Sequence, residues 1–214
     1  MTRLAGTGLV AGDLWLLAHD DVTGRPFLQP RALGLGLAGA LLAELVIGGH
    51  LAVRAGEFRI VSAVPPGDGL AAHVLGVLAG ERERHPVADW LTFLAVTAPG
   101  QVALRLARAG YLTRAVSRRP WRDGRWVPAD PDAAFAPVIR VAAVLAPARR
   151  GTAADVTLAG LAAGCGLGSR LLPYGPAGSR GRLDAAVRQL HPDLGEVISQ
   201  VQAAVDSALL AHRV

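Results

Sequence analysis

The 214-residue sequence contains no lysine, one cysteine and one methionine, and aromatic residues make up only 5% of it. A single cysteine, Cys165, excludes a disulfide framework and a thiolate metal cluster. All 22 basic residues are therefore arginine, set against 17 acidic ones for a formal net charge of +5. With 26 Gly and 14 Pro, this usage carries the stamp of a GC-rich genome, so codon bias accounts for much of the arginine before any function does. Long apolar runs are missing too. The longest uncharged stretches, Ala32–Ala43, Trp90–Leu104 and Val156–Ser169, fall short of the roughly 18–20 residues that cross a bilayer. The start, Met1 to Gly8, lacks an apolar signal segment with a cleavage site. These features predict a soluble, cytoplasmic chain. Hydrophobic residues at 51% fill a sizeable core and exclude wholesale disorder, and the length suits one domain over 1–214.

Periodicity predicts many short helices. Leu9–Ala18 crowds Leu14, Trp15, Leu17 and Ala18 onto an apolar face and stops at the turn Asp20–Gly24. Arg31–Gly48 is apolar nearly all round, as a central buried helix should be, and Gly34, Gly36 and Gly39 let neighbouring backbones approach it. Leu51–Arg54 and Glu57–Val61 flank Ala55-Gly56 as a hairpin. Asp68 caps a helix over Gly69–Ala79. Two more helices, Pro86–Val96 and Gly100–Ala109, are separated by Pro99, with Arg105 and Arg108 on the water side and Gly110 as the stop. Asp123-Gly124 signals another hairpin. Asp130-Pro131 opens a helix to Leu145, bent near Pro137. Thr152–Leu172 reads as one or two closely packed helices, Pro173–Gly181 as a loop, and Leu183–Leu190 and His191–Ala211 as the last two helices. The expected fold is mainly α: a central hydrophobic helix bundle ringed by short amphipathic helices, with one or two small β-hairpins.

Chemistry is sparse. His19, His50, His73, His85, His191 and His212 lack metal-ligand spacing. Cys165, in an apolar stretch, reads as a packing thiol. The glycines from Gly34 to Gly39 follow no strand, so they suit helix packing better than a dinucleotide site. Glu81-Arg82-Glu83-Arg84 is a self-compensating surface run. No catalytic or metal set emerges, no cofactor is implied, and the expectation is a protein that is not an enzyme. Arg114–Trp126 stands apart: Arg114, Arg118, Arg119, Arg122 and Arg125 alternate with Trp121 and Trp126. Forked guanidinium donors suit phosphate, and Trp suits the boundary between water and hydrocarbon. The residues alone fit an anionic membrane surface, a nucleic acid, or a surface hairpin packed on the body or on a second copy.

Several segments together resemble one family. Asp13–Arg25, Gly36-Leu-Ala-Gly-Ala-Leu-Leu-Ala-Glu-Leu45, Gly49-His-Leu51, Pro66-Gly-Asp68, Asp89-Trp90-Leu91 and Leu106–Leu112 occur in the order seen in the Golgi phosphoprotein 3 family, over roughly Thr7 to Ala211. The chain looks like a bacterial member. The resemblance implies a mostly helical domain and, in eukaryotic members, a peripheral protein that binds phosphatidylinositol 4-phosphate on Golgi membranes. It further implies trafficking partners and glycosyltransferase tails as ligands. The family's hairpin for membrane insertion and self-association falls on Ala115–Val127, which lifts the membrane reading above that of a plain surface hairpin.

The head-group pocket of the eukaryotic members uses one Trp and three Arg. These fall at Gln29, Ala38, Val96 and Pro99, and none keeps its type, so the charge-assisted bonds a phosphate needs are gone. Arg25 and Arg31 are the neighbouring cations that could substitute. The expectation is a cytoplasmic protein, peripheral on the inner face of the plasma membrane. Arg118, Arg119, Arg122 and Arg125 would meet anionic phospholipid while Trp121 and Trp126 insert. Its alternative is a module that uses the same hairpin to form a homo-oligomer or to bind a protein partner.

Overall fold

A computed structural model describes residues 6–115, 125–146, 151–171 and 176–211. Helix α2 (Pro30–Ile47) is the centre of it, buried from Ala32 through Ala43 and again at Leu45. Its glycines open three sides. A β-carbon added at Gly34 would come within 2.4 Å of the Ala95 carbonyl oxygen, at Gly36 within 2.4 Å of Cys165 Sγ, and at Gly39 within 2.3 Å of Val201 Cγ2. Small residues thus buy the close approach that larger ones would forbid. By length and a mean hydropathy of 1.5, α2 is able to cross a membrane. Charge-free runs missed this because Arg31 and Glu44 lie inside the helix, near its two ends. Here 72% of that window is buried within the protein.

Around it stand α1 (Val10–Leu17), buried along its whole length, and the hairpin β1 (Leu51–Arg54) and β2 (Glu57–Ile60). The strands are antiparallel, with Leu51 opposite Ile60 and Arg54 opposite Glu57. Ala55 and Gly56 both take positive φ, 53° and 75°, which matches the right-handed strand twist. Helix α3 (Gly69–Gly80) starts where the Asp68 carboxylate accepts from the Ala71 N–H at 2.8 Å. Helices α4 (Val87–Ala95) and α5 (Ala98–Arg108) meet at 64°. Pro99 lies in the first turn of α5, where a missing N–H costs nothing, so it begins that helix as well as limiting α4. At the far end Gly110 has φ 81° and the Tyr111 N–H reaches back to the Leu106 carbonyl, closing the helix.

Strands β3 (Leu112–Arg114) and β4 (Trp126–Pro128) form the second antiparallel pair. Helix α6 (Pro131–Leu145) follows, capped by Asp130 and carrying Pro137. Helix α7 (Ala153–Ala162) opens on a reciprocal Thr152/Asp155 capping box. A π-helical turn over Ala163–Leu167, where Gly166 takes φ 98°, leads into the short α8 (Gly168–Leu171). Helix α9 (Ser179–Arg188) starts inside the segment expected to be a loop. Its polar Ser-Arg-Gly-Arg opening hides the start, which Arg182 secures by donating to the carbonyls of Leu145, Pro176 and Ala177. Helix α10 (Pro192–Ala211) buries Leu194, Val197, Ile198, Val201, Val205 and Ala208, the face that its periodicity predicts. Among the described residues the fold is mainly α with two small antiparallel strand pairs, as expected.

Candidate functional site

The two ends of the arginine–tryptophan segment are held together by β3 and β4. Leu112 pairs with Pro128, Thr113 with Val127 and Arg114 with Trp126, and the Ala115 N–H donates to the Arg125 carbonyl at 2.8 Å. Arg125 is exposed. Trp126 is half-buried against the hydrophobic cluster, and the Arg114 guanidinium lies 4.2 Å from its ring centroid, a cation–π distance. Arg118, Arg119, Trp121 and Arg122 lie outside the described residues, as does the Asp123-Gly124 turn. At Trp126 the side chain already has two partners: the body and Arg114.

The Asp20–Arg25 turn abuts this foot. Asp20 accepts from the N–H groups of Val22 and Thr23 and from the Thr23 hydroxyl. The Thr23 hydroxyl and N–H, in that order, hold its carboxyl below the usual range. Gly24, with φ 62°, passes so near β4 that a β-carbon would sit 2.1 Å from the Trp126 carbonyl oxygen. The exposed Arg25 is thereby brought beside β4, a neighbour that no sequence spacing suggests. Arg31 is exposed in the first turn of α2.

The family's head-group positions fare differently. Gln29 is the exposed cap of α2, and Val96 is exposed at the α4–α5 junction next to Pro99. Packing of Gly34 on Ala95 draws that half of α2 toward the junction. Ala38, however, is wholly buried, and the four side chains supply no cation.

Beside the turn lies a cleft of about 360 Å³ whose walls include Leu16, Phe27, Phe135 and Leu171, with His19 and Arg170 among its polar lining. Arg170 covers the Phe27 ring at 3.5 Å. His19 stacks on Trp15 with centroids 3.7 Å apart, and its Nδ1 lies 2.7 Å from the Trp15 carbonyl oxygen. Burial pulls its pKa down to about 4, so it is neutral at physiological pH and donates to that carbonyl. Among the described residues no nucleophile–base pair lines the cleft.

The polar groups that the helix pattern missed are structural. Arg105, expected on the water side, is only 10% exposed. Its Nη1 and Nη2 donate to Glu44 at 2.9 and 3.2 Å, and Nη1 also donates to Asp68 at 3.1 Å. The Ala11 N–H donates to Glu44 at 2.7 Å. Arg140 likewise bridges the fully buried Asp13 and Asp155, and Arg54 reaches Asp193 at 3.0 Å. Burial raises the carboxyl pKa of Glu44 and Asp13 against the opposing pull of these partners. Burial also pushes the Cys165 thiol up to about 12, the inert packing role expected. Among the described residues no cluster of His, Cys, Asp and Glu is placed to hold a metal ion.

Fold and site define a class: a mainly helical protein, built on one apolar central helix locked by buried arginine–carboxylate bridges, with Arg114 and Arg125 exposed at its second strand pair. The family model for Golgi phosphoprotein 3 (GPP34) matches residues 10–211, nearly the whole chain, and the protein belongs to that family. Comparison with curated proteins gives no match.

Proposed function

We propose that the chain is a non-enzymatic, peripheral membrane-associating protein that binds anionic phospholipid through its arginine–tryptophan hairpin, on the cytoplasmic face of the membrane. One observation supports this above the others. The β3–β4 strand pair presents exposed Arg114 and Arg125 on either side, in sequence, of Arg118, Arg119 and Arg122, with Arg25 alongside. Clustered guanidiniums attract a negative lipid surface at about 1 kcal/mol each near the headgroups. Family membership adds weight. Gln29, Ala38, Val96 and Pro99 offer no phosphate ligand, so the attraction is general and not selective for phosphatidylinositol 4-phosphate.

Co-sedimentation with vesicles of anionic bacterial lipid tests this. Binding falls as salt rises, is not improved by added phosphatidylinositol 4-phosphate, and weakens by roughly two orders of magnitude when Arg118, Arg119 and Arg122 are replaced by Gln. Because Trp126 is half-buried, Trp121→Ala is the cleaner probe of insertion than Trp126→Ala. Binding that ignores all four changes would overturn the assignment. A second reading is a hairpin that docks on another copy or on a protein partner; the half-burial of Trp126 leaves one ring fewer to insert into a bilayer. A concentration-dependent dimer in sedimentation velocity, with no vesicle binding, would establish it.

A further inference from the structure

A second recess lies between α3 and α4, and neither the β3–β4 strands nor Gln29, Ala38, Val96 or Pro99 line it. Val77 and Glu81 come from the end of α3, His85 from the loop, and Asp89, Trp90 and Phe93 from α4; together they enclose about 200 Å³. Half of this lining is aromatic. The Trp90 ring meets His85 edge-on at 5.9 Å and 83°, and Phe93 at 6.0 Å and 87°, so two rings stand as walls nearly perpendicular to a third. Phe93 is 61% exposed, and the ring is therefore accessible from solvent.

Two carboxylates complete the recess. Glu81 accepts from the N–H groups of Arg82 and Glu83 at 2.8 and 3.0 Å, which fixes its position. The Glu83 N–H first, then that of Arg82, holds its carboxyl below the ordinary range. Among the described residues no arginine lines this space, although the chain as a whole carries +5. Arg59, Arg82 and Arg84 line an adjoining recess that shares Glu81, His85 and Trp90, so Glu81 stands at the boundary of the two and Asp89 faces this one alone.

We propose that this recess binds a small organic cation, an alkylammonium or guanidinium group, against the aromatic wall of Trp90, Phe93 and His85 with Glu81 and Asp89 as counter-charges. The negative face of an aromatic ring attracts such a cation, most strongly for Trp. The flanking carboxylates add direct charge complementarity, and Val77 offers an apolar surface to an alkyl stem. The volume lies below the range of drug-sized sites, so a head group fits where a nucleotide or a lipid body does not. The cation is either a free metabolite or the side chain of an arginine in a protein partner; the recognising chemistry is the same.

Isotope-labelled full-length protein titrated with choline, agmatine and acetyl-arginine amide, read at the Trp90 indole N–H in an NMR spectrum, tests the proposal. The signal is assigned with Trp90→Phe. A saturable shift at millimolar concentration or below is expected, with the neutral carbon isostere of choline, dimethylbutanol, at least tenfold weaker. Phe93→Leu, a change at an exposed ring, should weaken cation binding about 3–10-fold, and Glu81→Gln with Asp89→Asn should weaken it further. Tighter binding of acetyl-arginine amide than of agmatine identifies a protein side chain as the source, and the reverse identifies a free cation. Equal binding of the neutral isostere, or no saturable shift with any cation, would overturn the proposal. Neither result bears on vesicle binding by the hairpin.

Discussion

Arg105 shows what one side chain contributes here. It gathers Glu44 from α2 and Asp68 from the α3 cap, while the Ala11 N–H closes the other side of Glu44. Replacing it with Met leaves the Glu44 carboxylate, 6% exposed, without its counter-ion. Breaking a buried pair in this way costs about 3–5 kcal/mol, and urea denaturation should show the loss. Helical periodicity put Arg105 on the water side because its neighbours Val102 and Leu106 face the core. The carboxylates that receive it lie 37 and 61 residues away in the chain, and no local pattern announces them. His19 offers a second test. Its pKa is about 4 in the fold because burial disfavours the charged ring, whereas the unfolded chain titrates near 6.5. The unfolded state therefore binds more protons across that window, and stability falls as pH drops from 6.5 to 4, by about 3 kcal/mol in full. His19→Phe should lose that part of the acid limb while leaving the rest, as thermal unfolding between pH 7 and pH 4 would show.

At the scale of elements, the glycines of α2 do work that propensity alone would count as a fault. Gly39→Ala sets a methyl against Val201 Cγ2 and Gly34→Ala sets one against the Ala95 carbonyl. The first clash meets a side chain that is able to turn, the second meets backbone. Overpacking of this kind costs typically about 1–3 kcal/mol, so both variants should unfold at lower denaturant, Gly34→Ala the earlier. Local chemistry made most elements legible in the sequence. Ala55-Gly56 specifies its turn through φ, Asp68 and Asp130 cap the helices they precede, and α10 carries its core face at helical spacing. Where local signals fell silent, the reading missed. Ser179 to Arg182 are polar and glycine-interrupted, and α9 begins there because Arg182 binds carbonyls from α6 and the preceding loop. The candidate site divides along the same line. Composition alone singles out the Arg and Trp residues, but neither the packing of Trp126 nor the docking of the Gly24 turn on β4 follows from spacing.

For the whole molecule, the packing of α10 on α2 has a consequence for how the chain is made. Gly39 and Val201 are neighbours in the folded protein, yet most of the polypeptide separates them. On a ribosome adding roughly 5–20 residues per second, α2 emerges about ten seconds or more before its last covering helix. During that interval an 18-residue helix apolar enough to cross a membrane lacks one of its walls. A chain stopped at Leu190 should accordingly aggregate and bind an apolar dye, whereas the chain through Ala211 does not; equal solubility of the two would show that α2 is shielded by other means. A nascent chain of this kind invites early capture by chaperones or by the insertion machinery that reads apolar helices, and its fate is decided by whichever arrives before the C-terminal helix.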